Sequence, residues 1–321
     1  IEAAVHHEIL SELSMDELAK VEPGQIEHAV DIPYKSRNDI MENSLGLGFV
    51  NIDPDLDGVL RRLPIVAEIN GMLAPHFVLR ILCSHLDYDL GKMELKSKRE
   101  LILHEFPIGD SKKDVKIPLD GKGNMLVNYI SYEKVKRLTK AGQFVSLSAW
   151  DVIKSNAIDL SNKTVIFGDN SAAGRDFSTT PVDALLPNPF IFAIAMSNIL
   201  NEDFVHSVVP QVTLGLLLIL LIFFFIIANR VKAFQFALIS FGTLFLYVLC
   251  NFIVFIYFGT LIPVLNILIP LFLTSVFMLI YMVYQSQVKM GILEGSLSSF
   301  LSPPLMEKIK NNPDMLKLGG E

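Results

Sequence analysis

The chain has 321 residues, 51% of them hydrophobic, and a net charge of −7. That balance, with no cluster of Lys and Arg anywhere, excludes the basic surface a nucleic-acid partner would need. Two cysteines, Cys83 and Cys250, are too few for a disulfide scaffold, and no pairing between them is expected.

Both averages mix unlike parts. Residues 1–206 hold most of the charge and read as one soluble domain, whereas from Ser207 to Val288 the only charged residues are Arg230 and Lys232. The chain opens at Ile1 with neither Met nor a basic leader and stops at Leu318-Gly-Gly-Glu321, so the sequence reads as a fragment.

In chain order, Glu8–Lys20 reads as a helix, followed by irregular chain to residue 40. Gly46–Ile52 and Leu63–Ile69 read as strands around a turn at Asp53–Arg62. Phe77, Leu79, Leu82 and Leu86 put a buried stripe on a helix over Pro75–Leu86. Leu101–Phe106 and Met125–Ile130 are short strands, with Asp120-Gly-Lys-Gly123 as a turn. Ser148 caps a helix to about Ser155, Thr164–Gly168 is a β-branched run suited to a buried strand, and Phe190–Leu200 is helical. Alternating strands and helices predict an α/β domain whose sheet, parallel or mixed, carries helices on its faces.

A bilayer core takes roughly 20 apolar residues per helix. Residues 207–284 therefore hold three spans, Val208–Ala228, Phe234–Phe258 and Ile262–Tyr284, and the lipid bilayer is a partner. Arg230 and Lys232 follow the first span, and Lys289, Lys308, Lys310 and Lys317 follow the third, while Gly259-Thr-Leu261 carries no charge. Enrichment of Lys and Arg inside a cell places residues 285–321 in the cytoplasm and residues 1–206 in the periplasm or extracellular space, with the spans in the cell (inner) membrane. No ionisable residue lies within a span, which argues against transport. Asn251 and Asn266 read as packing groups across the hairpin or between protomers.

Chemistry has two candidate locations. Asp53-Pro-Asp55-Leu-Asp57-Gly58 copies the start of a calcium loop, but Pro64 stands where the bidentate Glu belongs. Two readings stand: a polar turn in which Arg61 and Arg62 pair with the carboxylates, or a site for a ligand or weakly held cation. The second location is Gly168–Asp176, a small and polar loop after a strand, where α/β sheets commonly place ligands. There Arg175 suits an anion, while Asp169 and Asp176 suit hydroxyls or a cation, and a plain connecting loop is the other reading. No Gly-x-Ser-x-Gly elbow is present, and the histidines, read as surface or core residues, show no metal spacing beyond the adjacent His6-His7, so no catalytic residue and no metal ligand is assigned. Beyond the third span, Val288, Leu293, Leu297 and Phe300 fall at roughly helical spacing, a stripe suited to a coupling helix in a parallel dimer. Pro303-Pro304 ends it, and a short helix Leu305–Lys310 follows.

The stretch Gly48-Phe-Val-Asn-Ile-Asp-Pro-Asp-Leu-Asp-Gly-Val-Leu-Arg-Arg-Leu-Pro64 resembles the hallmark of the second CHASE family, the extracellular sensor domains of cyclases and histidine kinases. Met125–Ile130, Thr164–Gly168 and Asp176–Pro181 resemble its later segments in order, over about Ser44 to Tyr284. Pro187-Asn-Pro-Phe-Ile-Phe-Ala193 departs from it, lacking the family's Gly and His. The resemblance implies one span before the domain, three after it, and an extracytoplasmic ligand of unknown identity. Phe300–Glu321 in turn resembles the segment that precedes the catalytic domain of bacterial class III adenylate cyclases. That implies a homodimer making cyclic AMP from ATP with divalent metal (Mg or Mn) in a domain beyond Glu321, with no cofactor in the present chain. The alternatives are a histidine or Ser/Thr kinase output, or a non-catalytic membrane-anchored binding protein.

Overall fold

A computed structural model of the chain describes residues 48–69, 72–140, 146–154, 160–161, 163–169 and 176–298. The helix expected at Glu8–Lys20, Arg175, Phe300 and the short helix at Leu305–Lys310 lie outside them. The chain divides into two compact units, Ile1–His206 and Ser207–Glu321.

The first unit is a mixed α/β region with small sheets. Its strands are β1 (Arg62–Pro64), β2 (Val66–Ile69), β3 (Met72–Pro75), β4 (Met93–Lys96), β5 (Glu100–Ile108), β6 (Ser111–Pro118), β7 (Asn124–Leu126), β8 (Phe177–Ser178) and β9 (Leu186–Pro187). Its helices are α1 (Phe77–His85), α2 (Tyr132–Lys140), α3 (Ala149–Lys154) and α4 (Asn188–Asn201). Every pairing between these strands is antiparallel: β1 with β7, β2 with β3, β8 with β9, and the meander β4-β5-β6. A single parallel contact, the bridge from Phe49 to His76, is all that the expected strand at Gly46–Ile52 forms among the described residues.

The parallel alternative therefore fails among the described strands, and hairpin chemistry is the reason. Lys96 and Arg99 close the β4–β5 turn, with Ser97 and Lys98 both left-handed at φ +56° and +59°, the backbone of a hairpin turn that suits strand twist. Gly109, at φ +59°, turns β5 into β6.

Thr164–Gly168 is another correction. It forms no strand, and Val165 and Phe167 are exposed, with Ile166 alone packed on the core. The segment instead runs beside the start of α4, so close at Gly168 that a Cβ there would lie 2.3 Å from Pro189 Cγ.

One apolar core joins the small sheets. Leu101 and Leu103 of β5, Val115 and Ile117 of β6, Leu79 and Leu82 of α1, and Ile191, Ile194 and Ile199 of α4 are buried in it. β5 owes its continuity in this core to a bulge: its register slips between Leu103 and Phe106, where His104 and Glu105 together face Asp114. Glu105 takes φ +53° there. The extra residue inverts the alternation of faces, so Phe106 enters the core fully buried where Glu105 would otherwise have pointed.

The second unit holds three apolar helices long enough to cross a membrane: α5 (Pro210–Ala228), α6 (Ala233–Phe258) and α7 (Val264–Ser298). Phe224, Phe236, Tyr247, Ile267 and Leu271 pack between them, Phe224 against Phe236 edge to face at 5.9 Å. Gly259 ends α6 in the left-handed region, its N–H donating to the Phe255 carbonyl. Asn251 donates from Nδ2 to the Tyr247 carbonyl one turn back, satisfying its own helix rather than bridging two. α7 runs without a break for 35 residues, so the span expected to end at Tyr284 and the helix expected after it are one element.

Candidate functional site

The acidic turn is locked by its own cations. Arg61 forks onto Asp57, Nη1 to Oδ1 at 2.9 Å and Nη2 to Oδ2 at 2.8 Å, and reaches Asp55 Oδ2 at 3.0 Å. Arg62 donates to the other oxygen of Asp55 and lies 3.6 Å from Asp120. The Arg61 fork, and after it the N–H of Val59, holds the Asp57 carboxyl at about 2, while Asp57 and then Asp55 raise the Arg61 guanidinium further. Asp53 is exposed just ahead of the turn. Paired in this way, Asp55 and Asp57 have both guanidinium partners that their charge requires, and the turn is a rigid neutralised knot. Two backbone bonds fasten it: Leu60 N–H to the Thr179 carbonyl and Val127 N–H to the Arg61 carbonyl.

A second set of residues surrounds an open cleft of about 290 Å³, lined by Val50, Ile52, Phe77, Ile166, Asp176 and Phe192, with Asn188 at its edge. Asp176 accepts from Asn188 twice, through its carbonyl from the backbone N–H and through Oδ1 from Nδ2 at 2.7 Å. Ser178 donates to Asn188 Oδ1, also at 2.7 Å. This three-residue net fixes the entry to α4 and leaves a carboxylate and an amide beside an apolar wall.

Behind that wall His76 is completely buried, edge-on to Phe49 at 5.1 Å and to Phe192 at 5.5 Å. Its Nδ1 accepts from the Val78 N–H and caps α1, and burial pushes the imidazole down to about 3, so it is neutral. Burial likewise pushes the Cys83 thiol up to about 12, which removes it as a nucleophile. The chemistry this arrangement supports is binding of a small apolar molecule with one polar end.

The structure brings Asp176, but not the acidic turn, to the cleft, although Val50 and Ile52 just before that turn line it. Asp169 closes the described run beside it, and Arg175 lies outside the described residues. Leu293 is exposed on α7, and the side chain of Leu297 lies outside the description.

A third cluster has no signature in the sequence. The buried Asn198 of α4 accepts from the Asn128 N–H at 2.9 Å and donates back to its carbonyl, while Asn128 Nδ2 reaches Asp203 at 3.0 Å. Glu202, left-handed at the end of α4, pairs with Lys113 of β6. Together these bonds hold the last turn of α4, from which the chain proceeds to Pro210 and the first apolar helix. Asn198 was detectable only as a lone amide within the apolar run Phe190–Leu200.

Against known proteins, the family described as the CHASE2 domain matches residues 7–228. No curated protein matches the chain, and no solved structure does.

Proposed function

The chain belongs to the CHASE2 family, and on that premise we propose that it is the receptor part of a transmembrane adenylate cyclase, a homodimer in the cell membrane. Residues 1–206 stand outside and receive a signal, the three apolar helices carry it across, and residues 285–321 couple it to a class III catalytic domain. That domain makes cyclic AMP from ATP with Mg or Mn. The observation that carries the receptor reading is the join between the two units. The family match runs through Ala228, the end of α5, and α4 is pinned at its C-terminus eight residues before α5 begins.

An outer ligand enters the cleft, its apolar body against Phe77 and Phe192 and its polar end at Asp176 and Asn188. The acidic turn holds the neighbouring chain in shape instead of holding a cation, since its arginines already neutralise it. Downstream, α7 is the element that moves the output, through the stripe read in the sequence at Leu293, Leu297 and Phe300.

The test is cyclic AMP in a cyclase-deficient bacterial host expressing the full reading frame that contains this chain. A rise supports the cyclase output, and no rise from protein verified in the membrane, even with manganese, overturns it. Replacing Leu293 and Leu297 with Asp would then uncouple output from the outer domain, and unchanged regulation would remove the coupling role.

A further inference from the structure

The bulge in β5 is held by an arrangement that needs a proton. His104 Nε2 lies 2.9 Å from Glu94 Oε2 on β4, and His104 Nδ1 lies 3.2 Å from Asp114 Oδ2 on β6. Ionised carboxylates only accept hydrogen bonds, and a neutral imidazole has a single N–H. Both contacts exist together only when the ring is an imidazolium. Asp114 has a second duty, because its Oδ1 accepts the N–H of Glu105, the left-handed residue of the bulge, at 3.0 Å. One carboxylate thus grips both bulge residues, and Glu105 is held from the other side by Lys92 at 2.9 Å.

We propose that Glu94, His104 and Asp114 form a proton-operated clasp across β4, β5 and β6 that locks the bulge, so that this domain reads the pH around it. Its consequences extend beyond the surface. The bulge sets the face on which Phe106 enters the core, and past it Phe106 lies opposite Lys113. Lys113 is the residue paired with Glu202 at the end of α4. Loss of the ring proton therefore acts on the register that positions the Lys113–Glu202 pair, ahead of the first apolar helix.

The charged groups around the ring agree in sign. Glu94 and then Asp114 raise the imidazole above its ordinary value, while Asp114 is itself lowered, first by the Glu105 N–H and then by His104. The cations nearby, Lys92, Lys112 and Lys116, act on Glu105 and Asp114, and the carboxylates of Glu94 and Asp114 are the leading influences on the ring. A folded value above the unfolded one, about 6.5 for His, means that the clasp is whole below that pH and is lost as pH rises through the folded value. That the clasp meets the outside medium rests on the topology proposed above, while the clasp itself does not.

The experiment is a pH titration of the ¹⁵N-histidine-labelled full chain in lipid nanodiscs, with H104N identifying the His104 signals. The expected midpoint lies above about 6.5, drops toward it in E94Q, and is shared by the Glu105 amide resonance. E94Q leaves the bulge N–H bond untouched, so it remains informative even where D114N fails to fold. A midpoint at the ordinary value and unmoved in E94Q overturns the clasp, and so does a Glu105 amide that ignores the His104 titration. Neither readout involves enzymatic output, so failure of the cyclase reading and failure of the clasp are separate results.

Discussion

Large apolar side chains are mostly buried in the first unit and mostly exposed in the second, where a few such as Phe224 and Ile267 pack inside. In the first, Leu63, Leu101, Phe106 and Ile191 are inside with no exposure, and the charges form pairs on the surface. In the second, Phe241 and Phe245 face outward at 72% and 63% exposure, while Ser240, Asn251 and Ser275 are inside. A side chain's type does not by itself say which way it points; the solvent does. Water drives the first arrangement by roughly 25 cal/mol for each Å² of apolar surface removed from it, whereas lipid tails supply no such drive to the helices. The polar groups inside the second unit are correspondingly frugal: Thr274 and Ser275 donate to carbonyls of their own helix, as Asn251 does.

The sharpest test of this contrast sets two phenylalanines against each other. Phe106→Ala is expected to cost the first unit about 3–5 kcal/mol in denaturant unfolding, while Phe241→Ala in nanodiscs stays within about 0.5 kcal/mol. Comparable losses would mean that the face of α6 bearing Phe241 packs against protein. Next comes Asn198→Ala, which removes a buried amide and its bonds to the half-buried Asn128 backbone, and is expected to cost about 1–3 kcal/mol on the same unfolding measurement. Asn251→Leu, an amide of the second unit that satisfies only its own helix, is expected to change stability by no more than about 0.6 kcal/mol, and a larger loss would reveal a partner on another helix or protomer.

The smallest effect belongs to the acidic turn. Arg61→Ala should let the Asp57 carboxyl rise from about 2 toward its ordinary value of 3.8, followed by carboxyl ¹³C shifts against pH. Because the folded value is the lower one, whatever this pair contributes to stability is present above 3.8 and lost as pH falls toward 2.

Legibility in the sequence followed the same division. Helix α1 was visible because Leu79 and Leu82 stand three apart on its buried face, with both ends displaced: Pro75 ends β3, His76 serves as cap, and the helix stops at His85 with Leu86 as its C-cap. The three apolar helices were visible because nothing polar competes with their pattern. The arginine–aspartate turn could be read because its partners lie within seven residues of one another. The meander could not, since β6 opens with Ser-Lys-Lys-Asp and its turn partner Ser97-Lys98 lacks the Asn-Gly that usually marks such a hairpin. For the same reason His104 passed as an ordinary surface or core histidine. Glu94 and Asp114 each stand ten residues from it, and only the registers of two hairpins bring them together. Thr164–Gly168 misled in the other direction, its β-branched composition suggesting a ladder where the chain pairs with no strand and Gly168 packs against Pro189.

The unbroken length of α7 makes it a shaft with a fixed phase. Thirty-five residues at 1.5 Å each span about 52 Å, well beyond the roughly 30 Å hydrocarbon layer. Pro270 lies in its second turn, and from Leu271 to Ser298 no proline or loop interrupts it. One residue added near Gly291 would turn everything after it by about 100°, and seven added together would return it almost to its original bearing. Whatever follows this helix thus inherits its heading from side chains held in the lipid, as a compass needle does from its pivot.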